Sequence, residues 1–416
     1  MPVGHSYYAS SDSLSAQFYE DLLCRGWRRS GTLLYRPNQR TSCCPHYTIR
    51  LDALAFKATK EQRQAVNRFN RYVLGEEYIK ESARVHPKSK EESARRKTDF
   101  DLVERIHESE SKNLKTPPNP AHDLFVTLEP NSFTEEKFDL FENYQRVVHH
   151  EPPHRITKSG FRSFLCSSPL ERCKHTIDGK DLLLGSYHQC YRLDGRLVAI
   201  GVIDLLPHAV SGVYFMYHES IHTWNPGKIS AMREAALAAE EGYRWYMMGF
   251  YIHSCKKMKY KVDYHPQYVL DPESHTWDLL DEDFKRRLDA RKYVSLSREK
   301  REGIEAPNTN GGVRIEDSVE DTMDVERTES DDESSSSTDD VSLFSRNMPG
   351  LLPESELTPA LLDHIKLRVR GQVVETSDLI TWETGSIHQP ESIKGVIAEL
   401  VATVGTDCAK NMVISF

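Results

Sequence analysis

Residues Gly249 to Lys261 read GFYIHSCKKMKYK, with Tyr251, His253, Cys255, Met258 and Tyr260 set among Lys256, Lys257, Lys259 and Lys261. The stretch is too polar for an ordinary core strand and too aromatic for a solvated charge run. Its residue types suit an active-site wall or a nucleic-acid patch, where rings stack and lysines meet phosphate. In GWRRSG, Arg28 and Arg29 stand between glycines, a pattern that could clamp a phosphate or carboxylate, with an exposed loop as the plainer reading. In GFRSFLCSSPL, Arg162 lies between Phe161 and Phe164. An arginine so flanked can stack on a base, hold an anion, or snorkel at a core edge.

YHQCY puts Tyr187, Gln189 and Tyr191 on one strand face and His188 with Cys190 on the other. Asp204 interrupts the apolar run AIGVIDLLP. A carboxylate inside a central strand must be paired, so Asp204 is either a structural hydrogen-bonder or a functional acid/base. TSCCPHY holds vicinal Cys43 and Cys44. They could serve one metal if further soft ligands arrived, or could be half-buried thiols. Lys228 follows Gly227 at a helix start and is a phosphate candidate. His218, Glu219 and His222 read as a loop rather than a metal site.

These side chains need elements to hold them. Residues 15–75 read as a small α+β unit whose KEQRQAVNRFNRYVLG helix turns Val66, Phe69 and Val73 inward and stops at Gly75. Residues 79–120 are charged and end Pro-rich, which predicts a linker or a fraying surface helix. From 121 a strand is followed by the helix TEEKFDLFENYQRVVHH, with Thr134 as its N-cap. Asp194-Gly195 between two apolar runs predicts a hairpin. A third strand, the helix GKISAMREAALAAEEGY and the strand YRWYMMGFYI complete the set. The order of three antiparallel strands, a helix and a strand resembles the centre of the GCN5-related N-acetyltransferase fold. The expected fold class is therefore α+β, a GCN5-related acyltransferase-like domain with a small N-terminal α+β domain. The expected divisions are 1–78 as the N-terminal domain, 79–120 as the linker, 121–300 as the catalytic domain, 301–348 as a disordered acidic Ser-rich segment and 349–416 as a C-terminal extension.

The net charge of −9 over 416 residues hides an asymmetry: residues 301–416 carry 9 Lys+Arg against 23 Asp+Glu, leaving 45 against 40 in residues 1–300. A mildly basic body permits phosphate contacts. The opening MPVGHSYYAS lacks the basic-then-apolar pattern of a secretory leader, and RLVAIGVIDLLPHAV is too short and too interrupted to span a bilayer. The expectation is a cytoplasmic protein, also nuclear, with no membrane partner. Its 8 cysteines are too scattered for a secreted disulfide framework.

Five blocks in order, GWRRSG with TSCCPHYTIR, GFRSFLCSSPL, GSYHQCYRLDGRLVAIGVIDLLP, and MGFYIHSCKKMKYK with YHPQYVLDPES, resemble the eukaryotic type of arginyl-tRNA–protein transferase over roughly residues 7–295. The resemblance implies transfer of arginine from arginyl-tRNA to the α-amine of proteins beginning with Asp, Glu or oxidised Cys, marking them for the Arg N-degron ubiquitin pathway. The family carries a Cys-x-x-Cys pair that joins the vicinal pair around an iron–sulfur cluster or zinc. Cys43 and Cys44 match the vicinal pair, and the other pair is expected upstream of MPVGHSYY, so the cysteine site is incomplete and transfer is expected to need no cofactor. For the chemistry, Asp204 or His188 is the candidate base and Tyr187 a candidate oxyanion donor. Arg28, Arg29, Arg162, Gln189, Tyr251, His253, Lys259, Tyr260, Lys261 and Lys228 are the candidate substrate-binding residues. Two competing readings are a degenerate copy that binds tRNA or acidic N-termini without transfer, and an acyl-CoA acetyltransferase. The second lacks its phosphate loop, for HTWNPGKIS stands in that place.

Overall fold

The computed structural model describes residues 6–177, 179–304 and 341–415. The acidic Ser-rich tract expected to be disordered lies, from 305 to 340, outside the described residues. The elements run β1 (Ser6–Ser10), α1 (Ala16–Leu23), β2 (Arg28–Ser30), β3 (Leu33–Pro37), β4 (Tyr47–Asp52), α2 (Lys60–Leu74), α3 (Glu76–Val85), α4 (Lys90–Thr98) and α5 (Leu102–Ile106). Then come β5 (Leu124–Pro130), α6 (Glu135–Val148), α7 (Lys158–Phe161), β6 (Cys173–Ile177), β7 (Lys180–Leu193), β8 (Arg196–Leu205), β9 (Ala209–Tyr217), α8 (Pro226–Glu241) and β10 (Trp245–Tyr251). The chain continues through α9 (Lys256–Lys259), β11 (Gln267–Leu270), β12 (Trp277–Leu279), α10 (Glu282–Ala290) and α11 (Leu296–Glu302). It closes with α12 (Pro359–Leu362), β13 (Lys366–Val369), β14 (Gln372–Glu375), α13 (Ile393–Val404), α14 (Thr406–Asn411) and β15 (Val413–Ser415).

One mixed sheet of nine strands dominates, in the order β12-β11-β4-β10-β9-β8-β7-β5 with β6 also on β7. The Asp-Gly turn is where the sequence puts it: β7 and β8 pair antiparallel across Asp194 (φ 52°) and Gly195 (φ 78°), the left-handed pair that a tight hairpin requires. Thr134 caps α6 by accepting from Lys137 N at 3.2 Å, and Val66 and Val73 of α2 are buried. Strand β4, from the N-terminal part of the chain, inserts between β10 and β11. It therefore shares a core with Ile203, Met232 and Tyr246 through Ile49 and Leu51.

Residues 79–120 fold into α4 and α5, and α5 is pinned to α8. Arg233 of α8 pairs with Glu110 at 2.5 Å and donates to Ile106 O at 2.8 Å, and His107 bonds Glu110 at 2.6 Å. These contacts convert a charge-rich segment into a strap over the helix. The C-terminal stretch is equally integrated. Thr403 O, at the end of α13, accepts from Trp27 Nε1 at 3.3 Å and Arg36 Nη1 at 3.4 Å. Arg36 also donates to Pro349 O and Gly350 O.

Candidate active site

Strand β10 runs parallel to β9 for only three residue pairs, Trp245↔Ala209, Tyr246↔Val210 and Met247↔Ser211. On its other edge β10 pairs with β4, and that register slips between Met247 and Phe250, at Gly249 (φ 76°). The slip is a β-bulge, which bends a strand and re-aims its side chains. Beyond Ser211 and Met247 the two strands part. The ladder between β9 and β10 stops there, and Gly212 and Gly249, both half-exposed, flank the break, with the Cβ position of Gly249 3.9 Å from Gly212 O.

Glu234 packs against the sheet beside this break. It comes from α8, a helix buried nearly all round by small residues (SAMREAALAA), and is itself only 4% exposed. Its Oε1 accepts from Ser230 Oγ at 2.8 Å, and the Tyr246 hydroxyl donates to the same carboxylate. The two oxygens press against the sheet where Gly201 and Gly212 leave room: a Cβ there would sit 3.2 Å and 3.1 Å from them. Burial pushes the Glu234 carboxyl up to about 7, against the smaller pull of Tyr246, Ser230 and Lys261. Lys261 is also buried, donates to Phe250 O at 2.7 Å, and reaches 3.8 Å from the Cβ position of Gly249. Burial, and then the Arg28 charge, push its amine down to about 8. Arg28 is 5.0 Å from the Phe250 ring centre and donates to Trp27 O at 3.0 Å and Gly249 O at 3.5 Å, and burial lowers its pKa. Arg28, Phe250, Gly249 and Lys261 thus cluster on one side of the break.

The other sequence candidates are distributed around this centre. Arg29 and Asp204 form a bidentate pair, Nε to Oδ2 at 2.8 Å and Nη2 to Oδ1 at 2.6 Å, with side-chain exposures of 2% and 0%. Ser186 donates to Asp204 at 2.6 Å. This cross-brace ties β2 to β7 and β8 and occupies both Asp204 oxygens. His188 is enclosed, bonded through Nε2 to Leu165 O at 3.0 Å, and burial pushes it down to about 4, so it is a neutral imidazole. Tyr187 OH donates to Leu184 O, and Gln189 accepts from Tyr191 OH. The helical turn that begins at Lys256 follows β10 after Tyr251, whose OH meets His253 Nδ1 at 2.6 Å while His253 Nε2 meets Asp289 at 2.8 Å. Arg162 is exposed and stacks 3.8 Å from the Phe133 ring centre. Lys228 and Tyr260 line an open cavity of about 310 Å³ with Thr59, Lys60 and Tyr264, while Lys259 is exposed nearby in sequence. The sequence reading missed Glu234, Ser230 and Tyr246. The signal was there in the one charged pair, Arg233-Glu234, set inside a run of Ala, Met and Ser.

Cys43 and Cys44 stand on the loop between β3 and β4 with sulfurs 3.7 Å apart, the first exposed and the second half-buried. A structural zinc or cluster takes four such ligands. Among the described residues no group of three or more His, Cys, Asp or Glu side chains is placed to hold a metal ion. His46 packs its ring 5.3 Å from that of Phe250, and burial pushes it down to about 4. The described residues around Cys43 and Cys44 do not fit a closed metal site.

Comparison with known proteins bears on the whole arrangement. Residues 4–64 match the family model described as "Arginine-tRNA-protein transferase, N terminus", and residues 136–271 match "Arginine-tRNA-protein transferase, C terminus". Over these two regions the chain is similar to the arginyl-tRNA–protein transferase family. It is similar to arginyl-tRNA--protein transferase 1 of Saccharomyces cerevisiae, 32% identical over 61% of this chain and 48% of that protein, so the match spans about half of the yeast relative's length. The Drosophila melanogaster protein of the same name is 26% identical over 68% of this chain and 79% of its own. A Pseudomonas fluorescens protein named aspartate/glutamate leucyltransferase is 27% identical over 62% and 81%. The structure of L-PGS from Bacillus licheniformis aligns with a TM-score of 0.27 and 10% identity over 50% of this chain and 47% of that one. Within the family regions, the break and Glu234 beside it lie on β9, α8 and β10, all inside 136–271. Among the described residues no helix is long and apolar enough to cross a membrane.

Proposed function

We propose that this protein transfers arginine from arginyl-tRNA to the N-terminal α-amine of proteins beginning with Asp, Glu or oxidised Cys, the mark read by the Arg N-degron ubiquitin pathway. The observation that carries the reading is the match of both parts of the family, combined with a buried carboxylate beside the break between β9 and β10. The central strands are read as a GCN5-related acyltransferase core. Support for this is the order of antiparallel β7, β8 and β9, then α8, then β10 parallel to β9. Residues 1–78 serve as the N-terminal domain, 121–300 as the catalytic domain and 349–416 as an extension.

The reaction is aminolysis of an ester. The acceptor nitrogen bonds to the arginyl carbonyl carbon, the ester C–O bond breaks, and the tRNA ribose hydroxyl leaves with a proton. The ester is already activated, so holding two substrates together supplies much of the rate and no cofactor is needed. The acceptor ammonium, near pKa ~8, must first lose a proton. Lys261, at about 8 and beside Gly249, is matched to take it. Asp204, His188 and Tyr187 act as positioning groups for the sheet, since each is buried and engaged. Arg162 and His253 are the cations offered to an acidic acceptor side chain. Lys228, Lys259 and Tyr260 offer charge and a stacking ring to the 3′ end of the tRNA. Relatives named for leucine transfer lie in the same family of sequences, so donor choice must rest on particular side chains rather than on the fold.

The test uses the purified full chain, radiolabelled arginyl-tRNA and an Asp-starting peptide. Label in the peptide is expected. Retained tRNA binding without transfer would favour a non-catalytic binder.

A further inference from the structure

Residues Arg162–Cys166 form a single π-type turn after α7, closed by Ser167 N donating to Arg162 O at 2.8 Å. Single turns of this kind recur at functional sites. Three buried side chains from distant parts of the chain donate to the carbonyls at its end. Asn131 Nδ2 meets Cys166 O at 2.8 Å, His188 Nε2 meets Leu165 O at 3.0 Å, and Arg29 Nη1 meets Ser167 O at 3.4 Å. Gly31 packs so close that a Cβ there would lie 2.1 Å from Ser163 O. The side chain at the head of this braced turn, Arg162, is exposed. Its guanidinium lies 3.8 Å from the Phe133 ring centre, and among the described residues no carboxylate pairs with it. A ring over one face of a guanidinium leaves the in-plane N–H donors open. The turn borders the break between β9 and β10. Gly31 packs on it, and Arg28, three residues or about 10 Å of strand earlier, donates to Gly249 O. On β9 itself, the Tyr214 ring lies 5.2 Å from that of Phe164.

We infer that Arg162 is the acceptor-specificity residue, the receptor for the carboxylate of a first-residue Asp or Glu. Asn131, His188 and Arg29 are its positioning residues, and the inference rests on the arginine-transfer reading above. A guanidinium is permanently charged and presents parallel N–H donors that match two carboxylate oxygens. The oxyacid of an oxidised Cys offers the same kind of oxygens, whereas a thiol does not. The Phe133 face shields one side of the cation from water and fixes its plane. His253, the other cation offered to the acceptor, has both ring nitrogens engaged, by Tyr251 OH and by Asp289. The Arg162 guanidinium has no such partner among the described residues. Because the turn is held through its carbonyls, loosening it weakens acceptor binding and leaves the donor's contacts alone.

The experiment compares the full chain as wild type, Arg162→Gln, Asn131→Ala and the double variant. Transfer is measured with arginyl-tRNA and with peptides that start with Asp or with Asn. Arg162→Gln is expected to raise the KM of the Asp peptide on the order of thirtyfold, with the KM for arginyl-tRNA unchanged. The preference for Asp over Asn in kcat/KM should fall by a similar factor. Asn131→Ala should raise the Asp-peptide KM on the order of tenfold and add nothing in the Arg162→Gln background. An unchanged Asp-peptide KM in Arg162→Gln, or an undiminished preference for Asp over Asn, overturns the inference. Additive effects of the two changes overturn the positioning role. If Asn131→Ala does not fold, Arg162→Gln, a change at an exposed residue, decides alone. A wild type that transfers no arginine overturns the functional reading instead. Anisotropy of fluorescent Asp and Asn peptides on wild type and Arg162→Gln would then still report on Arg162, and equal binding of both peptides to the wild type would overturn the inference.

Discussion

Replacing Glu234 by Gln should make the protein more stable at alkaline pH. Burial raises this carboxyl from 4.5 to about 7 in the folded state. Holding it ionised therefore costs the fold about 3 kcal/mol relative to an unburied carboxyl. The folded state binds more protons than the unfolded state between those two values. Stability contributed by the protonated form is thus fully present below 4.5 and is lost as pH rises through about 7. Glutamine does not titrate. Any difference in how it fits against Ser230 and Gly212 adds an offset that does not change with pH. The stability of the variant minus that of the wild type should accordingly grow with pH, levelling off about 3 kcal/mol higher above pH ~8 than near pH ~4.5. Urea unfolding of both proteins from mildly acid to mildly alkaline buffer measures this difference directly. A difference that is flat with pH, or one that shrinks as pH rises, would refute the account of Glu234 as a carboxylate held up by burial.

Three further outcomes follow from the same geometry. Asp204→Asn should cost about 3–5 kcal/mol by stranding the Arg29 guanidinium, and the double change Arg29→Met with Asp204→Leu should recover most of it in urea melts; transfer lost with a wild-type melt would instead give Asp204 a chemical role. Lys261→Arg can keep a hydrogen bond to Phe250 O but cannot become neutral, so transfer at pH ~8 should fall on the order of a hundredfold with donor binding retained, and a near-normal rate would remove Lys261 as proton acceptor. Deleting residues 341–416 strips Arg36 of the Pro349, Gly350 and Thr403 carbonyls and uncovers Trp27, so the shortened chain should lose cooperative melting and bind hydrophobic dye; an active, cooperatively melting product would contradict the integrated C-terminal region.

What was legible in the sequence was local. The hairpin at Asp194-Gly195, the Thr134 cap and the inward face of α2 each depend on residues a few positions apart, and each stands as the pattern predicts. The site depends on distant partners. Arg29 meets Asp204 across 175 positions, a pairing no local pattern in the sequence could show. Glu234 looked like one charge on an ordinary helix, because nothing in its own segment shows that Gly201 and Gly212 pack against it from two strands. The stretch GFYIHSCKKMKYK divides by burial. Lys261 turns inward and joins the cluster beside the break, while Lys256 and Lys259 remain exposed, a distinction no composition could make. The segment 79–120 looked solvated because its charges outnumber its apolar residues, yet Ile106 and Glu110 bury against α8 once Arg233 is there to meet them.

The most direct measurement of the central claim is mass spectrometry of an Asp-starting peptide incubated with the full chain and arginyl-tRNA. The account predicts a product heavier by one arginine residue, with the addition mapped to the peptide's α-amine and absent when that amine is blocked. An unmodified peptide in the presence of intact, tRNA-bound protein would contradict it.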